Sequence, residues 1–484
     1  MVGGERQVRN TFIYLLPTLV GGMLPIVSLP VFTRILTPED WGAWALALAY
    51  GAFACSIANF GLVVSYERNF FQYSSVRDRS ALLYSSLAFV IFALLVFGVL
   101  TWSFQHELAR AITGSSTNGS LLFWVFCATG LTSLKAYYLT YFRNTQDARA
   151  HSKYSITENV LTVLFSLLFV AYFRVGVIGL AAGQLLGGAL VLSVLVIRSL
   201  RRLPFSFRGT LLVESLKLSY PLAPRLLLNV FSTQFDVYII GQLGSVGGAG
   251  VYAIGQKIAN LVFRFMTALQ NVFAPQVYER MFARAEGAED TVGEFLTPFA
   301  YISIGAALLI GLFSEEAVTL LTPGSYHGAT AIVNVMVMYY GVMFFLKQPQ
   351  LMFAKKTFLI SVFSVVGIGF TVGFVTVGTR LLGPVGAAWG MLASGMVSAL
   401  LYTVVGQRYY PIRWQYRRMG MIFGLFFAST ILILGMNTLG VDYAVRVVTK
   451  IALALLYLGL GVHIKLVSRE SFSVLRKAFV LRSS

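Results

Sequence analysis

Five basic residues of this sequence fall inside long apolar segments, where each charged side chain costs about 2.5–3.5 kcal/mol or more to insert into a membrane. Acidic residues are scarce in these segments, and the two that qualify are Asp236 and Glu158. A charge at membrane depth normally faces a partner or a water-filled cavity and marks a functional site. The five basic residues are Lys135, Arg225, Lys257, Arg264 and Lys347.

Helical spacing places most of these residues on two polar stripes. One stripe, at positions i, i+4, i+7 and i+11, contains Arg225, Asn229, Ser232 and Asp236. The other, at positions i, i+3, i+7, i+10 and i+14, contains Lys257, Asn260, Arg264, Thr267 and Asn271. Residues with these spacings share one face of an α-helix. We therefore predict that the two stripes line one cavity.

The two segments run in opposite directions across the membrane, which sets the depth of each residue. Asp236 and Lys257 are expected at one level as an ion pair, which serves either ion coupling or packing alone. Arg225 and Arg264 are expected together at another level, with no carboxylate nearby in the sequence. Guanidinium groups bind phosphate through paired hydrogen bonds, so the sequence favours an anionic, phosphate-bearing substrate. It disfavours an exporter of cations, which requires embedded carboxylates in excess.

Lys135 and Lys347 each leave two interpretations open. Either side chain extends its ammonium group to the membrane interface, or it adds positive charge to the predicted cavity. Glu158 lies near the end of its own apolar segment. Together with Asp236, it is the candidate for an ion pair or for coupling to an ion gradient.

The other reactive residue types form no catalytic or metal-binding pattern. Cys55 and Cys127 both lie in apolar runs, where a free thiol behaves as a small hydrophobic group. The four histidines are far apart and suggest no ligand set. The acidic cluster at 286–290 is interpreted as a solvated loop rather than the acid pair of a glycosyltransferase. We therefore predict no cofactor, no metal site and no enzymatic activity.

The elements that position these residues are predicted to be transmembrane helices. The chain of 484 residues is 57% hydrophobic and 12% charged, whereas soluble domains are about 25% charged. Windows of about 19 residues identify fourteen apolar segments, and we predict an all-α polytopic membrane protein. The segments are 11–34, 42–64, 81–103, 120–142, 156–173, 175–197, 217–241, 250–273, 295–313, 329–351, 357–379, 384–406, 419–439 and 446–466.

The distribution of lysine and arginine predicts the orientation. With a cytoplasmic N-terminus, 26 of the 37 basic residues fall on the cytoplasmic side, six at outer segment ends and five within the segments. An excess of lysine and arginine is typical of cytoplasmic loops, so we predict that both termini are cytoplasmic. It also accounts for most of the net charge of +18, which gives no reason to expect nucleic acid as a partner.

Three sequence similarities at nearly constant offset predict an internal repeat. The pattern at 176–183 recurs at 383–390, Trp41-Gly42 corresponds to Ala249-Gly250, and Tyr66-Glu67-Arg68 corresponds to Tyr278-Glu279-Arg280. The offsets of 207, 208 and 212 residues span six helices, which is typical of transporters with parallel repeats. We predict a six-helix bundle in 1–200, a second in 215–410, two further helices in 419–466 and a basic cytoplasmic tail in 467–484.

Two motifs resemble those of a known family, over about residues 5–410. The stretch LPVFTRILTPEDWG at 29–42 and the stretch DVYIIG at 236–241, followed by GVY at 250–252, are similar to motifs of Wzx-type polysaccharide repeat-unit flippases. These belong to the multidrug/oligosaccharidyl-lipid/polysaccharide superfamily. The resemblance carries over Arg34, Gly42 and Asp236 as family positions.

The resemblance also implies a function and a location. The implied activity moves an undecaprenyl-diphosphate-linked oligosaccharide from the cytoplasmic to the periplasmic leaflet of the bacterial inner membrane, by alternating access. It implies a proton or sodium gradient as a source of energy, and polysaccharide polymerase or export machinery as partners. Two alternatives stay open: a lipid II flippase of the same superfamily, and a multidrug or cation antiporter, which the sign of the embedded charge disfavours.

Overall fold

The computed structural model describes residues 2–282, 288–346, 349–464 and residue 466. This part of the chain is helical and contains no β-strand, which confirms the predicted all-α class. The helices are α1 (Val2–Val27), α2 (Leu29–Ile35), α3 (Pro38–Asn59), α4 (Leu62–Asn69), α5 (Val76–Ser103), α6 (Gln105–Thr113), α7 (Gly119–Asn144), α8 (Ala148–Leu167), α9 (Ile178–Arg202), α10 (Gly209–Ser219), α11 (Ala223–Leu243), α12 (Val246–Phe282), α13 (Ala288–Leu312), α14 (Ser314–Leu321), α15 (Ala329–Leu346), α16 (Gln350–Phe353), α17 (Thr357–Tyr409), α18 (Tyr416–Thr438) and α19 (Tyr443–His463).

Eleven helical segments of the described chain are long and apolar enough to cross a membrane. The longest of them corresponds to α17, which bends where Leu382 and Gly383 leave the helical conformation, just before Pro384. This bend separates the predicted segments 357–379 and 384–406. Gly383 has a φ of 59°, a conformation that glycine adopts without a steric penalty.

Two predicted transmembrane segments coincide with helices that are not among the eleven. These are 217–241, which overlaps α11, and 250–273, which lies within α12. Both helices carry the polar stripes described above, and polar residues lower the mean hydropathy of a segment. The total of fourteen spans and the side of each terminus therefore remain predictions.

Short helices occupy several connections between the long ones. The order α5, α6, a 3₁₀ turn at Ser116–Asn118 and α7 recurs as α13, α14, a 3₁₀ turn at Gly324–Tyr326 and α15. The two turns begin 208 residues apart, at Ser116 and Gly324. This offset equals one of those in the sequence comparison and is consistent with the predicted repeat.

The chain divides into two compact units, which we describe separately. Unit 1 consists of Met1–Ile254, Leu320–Tyr326 and Thr379–Pro384, and unit 2 of Gly255–Thr319, His327–Gly378 and Val385–Ser484. Within unit 2, α18 and α19 pack on α13 and on each other. Unit 1 continues past the predicted boundary at 200–215, so the six-helix bundles remain a prediction. The predicted tail at 467–484 lies outside the described residues.

The two family-like motifs meet within unit 1, where α3 crosses the start of α12. A side chain at Gly42 would collide with the backbone oxygen of Val246, and one at Gly250 with the backbone oxygen of Pro38. The backbones therefore approach so closely that only glycine fits at either position. Thr37 and Asp40 form a reciprocal capping box that fixes the start of α3, which satisfies backbone donors at the helix terminus.

This close approach makes a quantitative prediction. Replacing Gly250 with alanine should lower the free energy of unfolding by about 2–3 kcal/mol, because the added methyl group forces the two backbones apart. Gly424→Ala in α18 is the matched control, since a methyl group there meets no atom within 4 Å. Unfolding of the purified protein in detergent measures both variants, and equal stability of the two would contradict the proposed contact.

Candidate functional site

Lys135 and Glu158 form an ion pair inside unit 1. Lys135 lies on α7 and Glu158 on α8, and both residues are buried. The α9 helix passes close to the acid, and a side-chain carbon at Gly188 would lie 3.8 Å from its Oε1 atom. The sequence predicts substrate binding or an interfacial position for Lys135, and an ion pair or coupling for Glu158, without pairing the two residues. The fold joins them, so Lys135 has a counter-charge in this structure.

A small polar network joins α3 to α7 in unit 1. The Asn59 Nδ2 atom on α3 donates a hydrogen bond of 3.0 Å to the Ser133 hydroxyl. The Tyr137 hydroxyl donates to the Asn59 Oδ1 atom at 3.3 Å. Ser133 and Tyr137 are two residues before and two residues after Lys135. Because residues two apart on a helix point to different sides, this polar α3–α7 contact is distinct from the Lys135–Glu158 pair.

Removing one member of this buried pair should destabilise the protein. Glu158→Gln leaves the ammonium group of Lys135 without a counter-charge, and we expect a loss of about 3 kcal/mol in the free energy of unfolding. The double variant Lys135→Met/Glu158→Gln should recover most of this loss, because it removes both charges together. A double-mutant cycle measures the coupling, and additive effects of the single changes would show that the pair contributes nothing.

The α11 stripe changes from exposed to buried along the helix. Arg225 and Asn229 are exposed, Ser232 is partly buried and Asp236 is only 1% exposed. The helix is continuous over Ala223–Leu243, so these residues lie on one face. Arg225 has no hydrogen-bond or ion-pair partner among the described residues. Its guanidinium group is therefore available to a ligand.

Asp236 is held by a buried tyrosine of the second family-like motif. The Tyr252 hydroxyl donates a hydrogen bond of 2.8 Å to Asp236 Oδ2, and the Val237 N–H donates to Asp236 Oδ1 at 2.9 Å. Tyr252 itself is fully buried. Sequence analysis did not assign Tyr252 to the site, although its motif contains both residues. The packing of α11 against the first turns of α12 brings Tyr252 to Asp236, and the sequence alone does not show this contact.

The second stripe lies on α12 within unit 2. Lys257, Asn260, Arg264 and Thr267 are all partly buried. Lys257 and Arg264, two turns apart, are close enough for the charge of one to act on the other. The Thr267 hydroxyl donates to the backbone oxygen of Phe263 at 2.7 Å. The side chain of Asn271 lies outside the described residues.

Three further sequence expectations concern single residues. Arg34, at the end of α2, is exposed and donates a hydrogen bond of 2.6 Å to the Pro30 oxygen. Lys347 lies outside the described residues. The Asp236–Lys257 pair involves residues of two different units and stays a prediction. Within the described part of the chain, no three His, Cys, Asp or Glu side chains are placed to hold a metal ion.

The structure also contains a charged network that sequence analysis missed. Lys450 of α19 is fully buried and contacts Glu315 Oε2 at 2.8 Å and Glu316 Oε1 at 2.6 Å. Arg446, one turn earlier, contacts Glu315 Oε1 at 2.8 Å. Arg446 and Lys450 are two of the six basic residues that the charge count assigns to the outer ends of predicted membrane segments. Glu315 and Glu316 directly follow segment 295–313, on the same predicted side of the membrane as Arg446 and Lys450. This position is the feature of the sequence from which the network could be predicted.

Comparison with protein families gives one match of broad extent. The profile of a family described as "Polysaccharide biosynthesis protein" matches residues 31–331, which is more than half of the chain. This range contains both stripes and the Lys135–Glu158 pair. No curated protein sequence matches the chain.

Solved structures with a similar fold are membrane transporters. An inward closed conformation of the lipid II flippase MurJ has a TM-score of 0.67 at 13% identity, and the match covers 92% of this chain and 98% of that one. An inward-facing multidrug resistance MATE transporter of the MOP superfamily has a TM-score of 0.62 at 15% identity, covering 84% and 98%. A MOP superfamily transporter from Pyrococcus furiosus has a TM-score of 0.56 at 15% identity, covering 86% and 96%. At these identities the likeness establishes the fold alone.

Proposed function

Because the chain belongs to the polysaccharide biosynthesis protein family, we propose that it is a flippase for a lipid-linked oligosaccharide. The proposed cargo is an undecaprenyl-diphosphate-linked repeat unit of a surface polysaccharide. The protein moves it from the cytoplasmic to the periplasmic leaflet of the bacterial inner membrane by alternating access. The transport step forms and breaks no covalent bond, so the protein is not an enzyme in this proposal.

The observation that carries this proposal is the exposed Arg225 on the polar face of α11. It has no acidic partner among the described residues, and the next polar side chain on its face is Asn229. An uncompensated guanidinium group near apolar surroundings favours an anion, and phosphate oxygens match its paired donors. A transporter of cations would require the opposite charge at this place.

Each candidate residue has a defined role in the proposal. Arg225 and Arg264 bind the diphosphate, and the amide groups of Asn229 and Asn260 donate hydrogen bonds to the sugars. Lys135 joins them only when it exchanges Glu158 for a phosphate oxygen. Asp236 and Glu158 are the carboxylates that a proton or sodium gradient would act on. The prenyl tail stays in the lipid.

A second cargo is supported by one observation, the likeness of the fold to a lipid II flippase. Lipid II carries the same kind of polyprenyl diphosphate, so the two arginines suit either cargo. The sugar portion differs, and a direct comparison of the two substrates separates them. A multidrug antiporter is the third alternative and is disfavoured by the sign of the charge at Arg225.

The experiment uses the purified full chain in proteoliposomes. A fluorescent undecaprenyl-diphosphate-linked oligosaccharide is placed in both leaflets, and a membrane-impermeant reductant bleaches only the outer one. The flippase should convert the protected half into a bleachable pool, whereas vesicles without protein should keep it protected. Equal bleaching with and without protein would contradict the proposal. Faster movement of labelled lipid II than of the oligosaccharide would favour the second cargo.

A further inference from the structure

A cationic cavity lies in unit 1, where α7 and α9 end. Its volume is about 310 Å³. The α9 helix contributes two arginines and a hydroxyl group, and the last turn of α7 and the loop after it contribute hydroxyl groups and one carboxylate. The polar lining residues are Tyr138, Tyr141, Thr145, Asp147, Arg198, Ser199 and Arg202. None of them belongs to the polar stripes on α11 and α12.

The guanidinium group of Arg198 is held in place at the wall of this cavity. Its Nη1 atom donates a hydrogen bond of 3.0 Å to the Tyr154 hydroxyl. Its Cζ atom lies 5.7 Å from the centre of the Phe142 ring and 5.8 Å from that of the Tyr154 ring. These two rings stack at 5.8 Å with an angle of 14° between them. The hydrogen bond uses one of five N–H donors of the group, so further donors remain for a ligand.

The charge of the lining favours a ligand with a single negative charge. Arg198 and Arg202 contribute two positive charges and Asp147 one negative charge, which leaves a net charge of +1. The Asp147 carboxylate accepts a hydrogen bond of 3.0 Å from the Ala150 N–H at the start of α8, which fixes its position. A phosphodiester carries one negative charge and offers the oxygen atoms that guanidinium groups bind. A diphosphate, with at least two negative charges, fits this balance less well.

The position of the cavity favours a lipid over a soluble phosphate ester. Two candidate membrane spans, Ser116–Asn144 and Ile178–Arg202, end at the cavity, which is the level at which headgroups lie. Leu190 and Val194 lie two turns and one turn before Arg198 on the same side of α9, and they are 44% and 51% exposed. Acyl chains can pack along this side of the helix.

We propose that this cavity binds the phosphodiester headgroup of a glycerophospholipid. Arg198 and Arg202 contact the phosphate oxygens, and the Ser199 hydroxyl contributes a further hydrogen bond. The acyl chains of the same lipid run along Leu190 and Val194. The site is separate from the cargo proposal and does not depend on it, because the cargo stripes lie on other helices.

The test is lipid-dependent thermal stability of the full chain in detergent. Addition of dioleoyl phosphatidylglycerol should raise the Tm of the native protein. Dioleoylglycerol, which lacks the phosphate, and glycerophosphoglycerol, which is the same phosphodiester without the chains, should leave it unchanged. Arg198→Ala and Arg202→Ala should each weaken the lipid effect by about tenfold in the lipid concentration needed, the loss of one charge-assisted contact.

Arg201→Ala is the matched control, because Arg201 ends the same helix but does not line the cavity. It should keep the full response, although it removes the same charge from the membrane surface. Arg198→Lys keeps the charge without the planar fork of donors and should also weaken the response, which guards against misfolding of the alanine variant. An equal loss in Arg201→Ala would overturn the proposal. So would a full response to glycerophosphoglycerol, or a response confined to undecaprenyl diphosphate.

Discussion

Replacing Lys450 with alanine should lower the free energy of unfolding by about 5 kcal/mol, the upper end of the range for breaking a buried ion pair. The ammonium group of Lys450 is fully buried and contacts carboxylates of both Glu315 and Glu316. Its removal leaves two neighbouring negative charges in a poorly solvated place, with Arg446 as the remaining partner of Glu315. The loss of stability therefore comes more from negative charge left without a counter-charge than from the lost attraction to the Lys450 ammonium group.

A compensating change separates these two causes. Lys450→Met/Glu316→Gln removes one charge of each sign and leaves the Arg446–Glu315 pair intact. We expect this double variant to recover more than half of the stability that Lys450→Met alone loses. Unfolding by sodium dodecyl sulfate in mixed micelles measures the free energies. If the double variant were as unstable as Lys450→Met, the shape of the lysine side chain rather than its charge would be the cause.

An exposed ion pair of unit 1 provides the control for this prediction. Arg143 contacts Glu67 at 2.7 Å, and both side chains are more than 40% exposed. Exposed pairs contribute about 0–1 kcal/mol, because water replaces the lost partner. Arg143→Ala should therefore change stability by less than about 1 kcal/mol. A loss as large as that of Lys450→Ala would show that burial does not distinguish the two pairs.

The buried network fixes the last helix to unit 2. The α19 residues Tyr457 and Lys450 both contact the α13–α14 region, and Tyr457 stacks on Tyr301 at 4.8 Å with an angle of 5° between the rings. Each of these tyrosine hydroxyls also donates to the other residue's backbone oxygen. The two predicted additional helices are therefore integral to unit 2 rather than a loosely attached pair.

Hydropathy and helical periodicity predict the parts of this fold that depend on local sequence. The predicted segments 357–379 and 384–406 are separate, and the bend of α17 at Gly383 falls between them. Similarly, a turn separates α8 from α9 at Arg174, where the φ angle is 52°. The stripe on α11 needs only a continuous helix, which the structure provides.

Contacts between distant helices could not be predicted in the same way. The Lys135–Glu158 pair depends on how α7 and α8 rotate about their axes, which spacing within one helix does not determine. Lys450 lies 134 residues from Glu316, and a count of charges by loop assumes that residues near segment ends are solvated. The short helix α14 turns Glu315 and Glu316 toward α19, and no hydropathy window reports this contact.

The two family-like motifs are visible in the sequence, but the physical reason for their residue types is not. In the structure, Gly42 and Gly250 permit a close crossing of α3 and α12. That crossing lies near Tyr252, whose hydroxyl binds Asp236. The motifs therefore form one close helix crossing in unit 1 and fix the buried carboxylate of Asp236. Their residues do not all have to contact a ligand.

Loss of either arginine of the stripes should lower transport by about 10- to 100-fold. One charge-assisted hydrogen-bonded contact contributes about 1.5–3 kcal/mol, and each step of 1.4 kcal/mol corresponds to a factor of ten. We expect Arg225→Ala and Arg264→Ala to reduce the rate in the bleaching assay by this factor. Charge reversal in Arg225→Glu should abolish transport, because it repels the diphosphate.

Two variants show whether charge or geometry at Arg225 matters. Arg225→Lys keeps the positive charge but loses the planar pair of donors, so it should retain intermediate activity. Arg417→Ala, which removes an exposed arginine at the start of α18, should transport at the native rate. Since Arg225 is exposed and has no protein partner among the described residues, its substitution should leave unfolding unchanged.

Arg225 gives the clearest test of an anionic cargo, because its substitution is expected to change transport without changing stability. A buried ion pair such as Lys135–Glu158 affects both quantities when it is broken, so a loss of transport there has two explanations. Arg225→Ala with native stability and native transport would remove the main support for an anionic cargo. Native stability with a transport rate reduced at least tenfold would instead mean that this guanidinium group contacts the cargo, because it has no partner to lose within the described part of the chain.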